Sequence, residues 1–192
     1  MQLSQYSDAQ LAQAFIEGNE RALEALINRY KDKIYTSVYM LVKDKFLAED
    51  IFQDTFLKII KTMKSGRYNE QGKFLPWAIR VAHNLCMDHF RRSRQNIPVT
   101  LPDGQDISVL FGASDMPADG IEKRQVHDSV RKLIERLPEE QCEVIVLRIY
   151  ADLSFKQISE LTGVSINTAL GRMRYALLNL RKMITDNHMV LR

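Results

Sequence analysis

The chain has 192 residues, 45% of them hydrophobic and 27% charged, enough apolar content for a packed core and too much for a disordered polymer. With only 8 Gly and 5 Pro, a turn-rich β architecture is disfavoured and helix formers dominate. The net charge of +3 excludes a uniformly polycationic or polyanionic protein, so any nucleic-acid contact must come from local clusters. Two cysteines, Cys86 and Cys142, match no paired metal-ligand spacing, and no secretory leader or long uncharged apolar run is evident. The expectation is a cytoplasmic protein with reduced thiols, no metal, no cofactor and no membrane insertion.

In chain order, Ser7 with Gln10 forms a possible capping box that opens a short first helix to about Glu17. Gly18-Asn19 breaks it, and Asn19 is placed to cap a second helix. There Ala22, Leu23, Leu26, Ile27, Tyr30, Ile34, Val38 and Leu41 recur at helical spacing. A third helix fits Phe46 to Met63. Ser65 to Gly72 reads as a loop, and a fourth helix runs from near Leu75 into Arg91-Arg92, with Pro76 suited to its first turn.

Between Asn96 and Gly120 the periodicity dissolves among Pro98, Pro102, Asp103-Gly104, Gly112 and Pro117. So long a stretch without a pattern reads as an interdomain linker. Beyond it, Val126, Val130, Leu133, Ile134 and Leu137 mark a helix ended by Pro138. Pro138-Glu139-Glu140 opens the next, whose expected buried face is Cys142, Val144, Ile145, Leu147 and Ile149. The fold class expected is all-α, with two small helical domains, 1–95 and 121–192, joined by a flexible acidic linker, 96–120.

The second domain ends in a helix-turn-helix. Ser154 caps a short helix carrying Phe155, Ile158 and Leu161, and Thr162-Gly163-Val164 is the turn. Ser165 caps a following helix whose inward stripe is expected at Ala169, Met173, Ala176, Leu177 and Leu180. Its other side offers Asn167, Thr168, Gly171, Arg172, Arg174, Tyr175, Arg181 and Lys182, side chains suited to a major groove and its phosphates. A solvated basic hairpin accounts for the cations alone; the order of cap, apolar helix, glycine turn, cap and basic helix favours DNA binding.

Charge is distributed to match. Lys73, Arg80, Arg91, Arg92 and Arg94 face only Asp88 in their stretch, whereas Asp103, Asp106, Asp115 and Asp119 lie in a stretch, 95–121, that contains no Lys or Arg. Two basic stretches flanking an acidic one point to two contacts with a polyanion. A further surface is expected on the third helix, where Glu49, Asp50, Gln53, Asp54 and Leu57 share adjoining faces and would suit a basic partner.

Two strings, Ala48 to Leu57 and Phe74 to Arg92, together with Leu137-Pro138-Glu139-Glu140-Gln141 and the segment Ser154 to Met183, resemble the motifs of extracytoplasmic-function sigma factors, the smallest class of the bacterial RNA polymerase sigma family. The resemblance implies a non-catalytic subunit that directs core RNA polymerase to promoter DNA. Asp50, Gln53 and Phe56, with Glu49 and Asp54, would dock on the coiled coil of the polymerase's largest subunit, and the polymerase flap and an anti-sigma factor are further implied partners. Lys73, Arg80, Arg91 and Arg92 would follow phosphates near the −10 element, with Asn84 on the base-reading face. The loop bearing Arg67, Tyr68 and Asn69 would cradle a base turned out of the opened strand. Ser165 to Lys182 would read the −35 element, although Leu170 and Gly171 stand where relatives often carry longer polar residues, leaving more to shape readout, Arg174 and Tyr175.

Trp77 matches a family aromatic, yet its apolar neighbours favour a core role, and Asp88 is expected to orient Arg91 or Arg92. The linker is either a plain spacer or a strand imitating nucleic acid in the polymerase's RNA channel. His83, Cys86 and His89 neighbour one another on a helix but lack a fourth ligand, so packing is the expected role. An autonomous repressor leaves the Glu49–Leu57 face unused, and an adaptor that never touches DNA leaves Arg172, Arg174, Arg181 and Lys182 unexplained.

Overall fold

A computed structural model of the chain describes residues 3–69, 73–95 and 129–186. The expected linker, with its acidic residues, lies outside the described residues. Among those described, regular structure is entirely helical.

After a short 3-10 turn, α1 (Asp8–Ile16) begins at Ser7, whose side chain accepts from the Gln10 backbone while the Gln10 side chain returns to the Ser7 backbone. This reciprocal cap is the one expected from the spacing. α2 (Glu20–Val42) starts after Asn19, which makes no side-chain cap bond. It ends at Lys43 in the left-handed region, φ 57°, with Lys43 Nζ donating to the Glu135 carbonyl at 2.5 Å. α3 (Lys45–Lys64) is capped by Asp44, whose side chain accepts from Leu47 N at 3.0 Å, and α4 spans Phe74–Gln95. Leu11, Leu26, Ile34, Ile59, Phe74 and Ile79 are fully enclosed where these four helices meet. Tyr30 ties α2 to α1, its hydroxyl donating to Asp8 Oδ2 at 2.6 Å, and burial with this bond pushes its pKa up to about 12.

The C-terminal helices are α5 (residues 129–135), α6 (Glu139–Ile145), α7 (Phe155–Thr162) and α8 (Ile166–Asp186). α6 continues without a break into a π-helical turn over Val146–Tyr150, closed by Ala151 N donating to the Val146 carbonyl at 3.0 Å. The wider turn corrects the expected buried face. Residues advance less around the axis per step than at 3.6 per turn, so Val146 becomes fully buried and Ile149 is 62% exposed. Ser154 caps α7 and Gly163 ends it at φ 72°, both as expected, and the Gln157 side chain completes a capping box that the sequence reading does not name. On α8, Ala169 and Ala176 are buried, whereas Leu177 is 52% exposed, a second correction: positions 169, 173, 176 and 180 complete the inward stripe, and Leu177 falls beside it on the outer flank.

The two groups of helices pack on each other. Val144, Leu147, Ala151, Leu153 and Ile158 share one buried cluster with the core of the first four helices. Met40 of α2 sits in a second cluster with Ile134, Leu137, Cys142, Ile145, Val146 and Ala176.

Candidate nucleic-acid interface

Lys73 and, on α4, Trp77, Arg80, Asn84, Asp88 and Arg91 recur every three or four residues and therefore share one side of that segment. Lys73, Arg80, Asn84, Arg91 and Arg92 are exposed. Asp88 Oδ1 accepts from Arg91 at 2.7 Å, fixing the guanidinium along the helix as the spacing had indicated. At the N-terminal end of this face stands the loop after α3. Gly66 there takes φ 68°, a left-handed conformation that glycine adopts without strain. Arg67 and Asn69 are exposed, and Arg67 Nε donates to Ser65 Oγ at 3.0 Å. Tyr68 lies 4.4 Å from the Trp77 ring, which in turn contacts Phe74 at 5.9 Å. Trp77 is thus half-buried, with core on one side and a cavity on the other.

That cavity, of about 450 Å³, is lined by Arg67, Tyr68, Asn69, Lys73, Trp77 and Arg80 from the first group of helices and by Leu153, Gln157, Glu160 and Leu161 from the second. Cationic and aromatic groups at one opening suit an unstacked base and its phosphate. The lining by α7 was not legible in the sequence, where Gln157 and Glu160 carry only a capping and a helix pattern. Glu160 Oε2 approaches Arg80 at 3.7 Å.

On the helix-turn-helix, Ser165 Oγ accepts from Thr168 N at 3.0 Å and meets Thr168 Oγ1 at 2.8 Å. Asn167, Thr168, Arg174, Tyr175, Arg181 and Lys182 are exposed, and Gly171 is half-exposed. Arg172 differs from the other cations of α8: it turns toward Glu143, 3.8 Å away, with its side chain only 26% exposed. Arg174 and Arg181 flank an outward apolar groove of about 340 Å³ containing Phe155, Leu170, Met173, Leu177 and Leu178.

The acidic face of α3 holds Asp50, Gln53 and Asp54 exposed and Glu49 half-buried. Phe56 does not belong to it. It is 8% exposed and packs edge-on against Phe52 at 4.9 Å, because it falls with Phe52, Thr55 and Ile59 on the inward side. The apolar side chains available at this surface are Leu57, 64% exposed, and Phe46, 65% exposed.

Burial pushes the Cys86 thiol up to about 12, and His83 Nε2 lies 2.8 Å from Glu143 Oε1. Among the described residues no group of His, Cys, Asp or Glu is arranged to hold a metal ion, and no helix is long and apolar enough to cross a membrane.

Residues 26–96 match the family model described as Sigma-70 region 2, and residues 127–178 match that for Sigma-70, region 4. The chain is 27% identical over 175 residues to the ECF RNA polymerase sigma factor SigW of Bacillus subtilis, covering 88% of this chain and 92% of the relative. It is 25% identical over 176 residues to the RNA polymerase sigma-H factor of Pseudomonas aeruginosa, covering 89% and 90%. The fold resembles that of CnrH, solved in complex with the cytosolic domain of CnrY, at a TM-score of 0.65 and 20% identity over 94% of this chain and 99% of that one. Both matched regions occur in order, one carrying the cationic face of α4 and the other the helix-turn-helix; the chain belongs to the sigma-70 family of RNA polymerase sigma factors, in its extracytoplasmic-function class.

Proposed function

We propose that residues 1–95 and 121–192 form a two-point grip on promoter DNA, with 96–120 as the tether between them. In this reading α4 and the loop after α3 capture the opened −10 strand. Lys73, Arg80, Arg91 and Arg92 follow phosphates, Asn84 faces the bases, and Arg67, Tyr68 and Asn69 receive a base turned out of the stack. α8 enters the major groove at −35, with Asn167, Thr168, Arg174 and Tyr175 toward base edges and Arg181 and Lys182 toward the backbone. The acidic face of α3, with Leu57 and Phe46 in place of Phe56, docks on the coiled coil of the polymerase's largest subunit, and the flap engages the C-terminal domain. The observation that carries the reading is the cationic, aromatic-ended face of α4 at a base-sized cavity.

The chain itself performs no chemistry; it selects where the polymerase starts, in the cytoplasm. CnrH was solved with the cytosolic domain of CnrY, and a comparable anti-sigma factor is proposed as a regulator here.

The test is transcription in vitro with core polymerase over a library of randomised promoters. Initiation that depends on both proteins and selects paired −35 and −10 elements supports the proposal. DNA binding by the free chain at a palindrome, with no initiation when core enzyme is added, overturns it.

A further inference from the structure

α8 exposes an apolar side chain at the end where a recognition helix meets base edges. Leu170 follows the buried Ala169 by one position, which turns it about 100° away from the inward stripe. It is left 44% exposed, on the wall of the apolar groove of about 340 Å³ that Arg174 and Arg181 flank. Core packing therefore does not account for a leucine at this position. Asn167 stands one turn before Leu170 and Arg174 one turn after it, both exposed. The next residue is Gly171, where an added Cβ would meet nothing within 4 Å. Open space thus lies beside Leu170, with no side chain at 171 to hold a partner off. Leu177 and Leu178 are also exposed, but they begin about 10 Å further along the axis, beyond the N-terminal turns that enter a major groove.

The chemistry of the major groove selects what such a side chain can read. Its base-edge code consists of hydrogen-bond donors and acceptors with one exception, the C5-methyl group of thymine. A leucine neither donates nor accepts, so thymine is the base whose edge it matches. We propose that Leu170 reads a thymine of the −35 element through that methyl group. Gly171 permits the close approach, Arg174 reads beside it, and Arg181 fixes the DNA backbone alongside. This assignment rests on the DNA-binding reading of α8 above and names a base within its target. Contact between the methyl group and Leu170 removes apolar surface from water on both partners. The polar Asn167 and cationic Arg174 on either side set the register in which the two meet.

Deoxyuridine tests it, because it differs from thymidine only by the methyl group. A promoter selected by reconstituted holoenzyme from the randomised library is rebuilt with each thymine of its −35 element, on either strand, replaced in turn. Holoenzyme binding is then measured with wild type, Leu170→Ala, Leu170→Met and Leu177→Ala. With wild type, one replacement should weaken binding about three- to fivefold, the worth of one buried methyl group. Leu170→Ala should bind the unmodified promoter at least that much more weakly than wild type and be indifferent to the replacement. Leu170→Met keeps an apolar side chain of similar size and should retain the methyl dependence, as should Leu177→Ala two turns away. A selected −35 element without thymine on either strand overturns the assignment of Leu170 and leaves the −35 reading standing. So does wild-type binding that no replacement moves, or a methyl dependence that survives in Leu170→Ala. Holoenzyme that selects no −35 element overturns that reading and the thymine contact with it.

Discussion

Two glycines of the helix-turn-helix should respond oppositely to the same added methyl group. Gly163 ends α7 at φ 72°, and a Cβ built on it meets nothing within 4 Å. Gly163→Ala therefore carries no steric term. Its cost is that of holding an L-residue in the left-handed region, about 1–2 kcal/mol, partly offset by the about 0.4–1 kcal/mol that alanine gains through a less disordered unfolded chain. A net loss of about 1 kcal/mol follows. Gly171 lies inside α8, has an ordinary helical backbone and likewise meets nothing within 4 Å. Alanine is favoured over glycine by about 0.8–1 kcal/mol in a helix interior, so Gly171→Ala should stabilise by up to that amount. Urea unfolding monitored by circular dichroism reads both, and the two midpoints should move apart from wild type with little change in slope. Equal effects in the same direction would refute the assignment of Gly163 to the turn and Gly171 to the helix. A loss well above 2 kcal/mol at Gly163 would mean that the turn is packed more closely than the structure has it.

On α3, Phe56→Ala should cost about 3 kcal/mol or more through the lost core contact. Leu57→Ala should change stability by less than about 0.5 kcal/mol yet weaken capture of core polymerase in a pull-down titration; the reverse pattern would restore Phe56 to the docking face. Replacing Arg92 with Ala should reduce the slope of log binding constant against log salt for holoenzyme on promoter DNA by about 1, while Asn84→Ala should alter base preference at −10 and leave that slope unchanged. The Cys86 thiol is raised from 9.0 to about 12 by burial, so it contributes stability that is full below about pH 9 and lost as pH climbs toward 12. Cys86→Ala should therefore flatten the alkaline fall in urea stability relative to wild type, and a thiol reagent at pH 8 should label native Cys86 only as fast as the core opens.

Local chemistry was the legible part of this protein. Ser7 with Gln10 closes as a capping box, Ser154 caps α7 and Gly163 takes the left-handed turn, because each depends on a few residues close in sequence. Ile149 was misplaced because a hydrophobic pattern assumes 3.6 residues per turn, and nothing in Val146–Tyr150 marks a π turn. Phe56 was assigned by its place in a family string, which names residues without telling which side of the helix they occupy. The pairing of Arg172 with Glu143 and of Arg80 with Glu160 was out of reach for a different reason. Charge counting gives each cation a sign, whereas its partner is set by how two groups of helices pack, across separations no periodicity spans.

The proposed two-point grip requires one chain to read two promoter elements with two separate surfaces. Initiation by reconstituted holoenzyme, scored over a library in which both elements are randomised, measures it directly with two variants, Asn84→Ala on α4 and Arg174→Ala on α8. The first should change base preference at −10 alone and the second at −35 alone. A change at −35 from Asn84→Ala, or at −10 from Arg174→Ala, would contradict it.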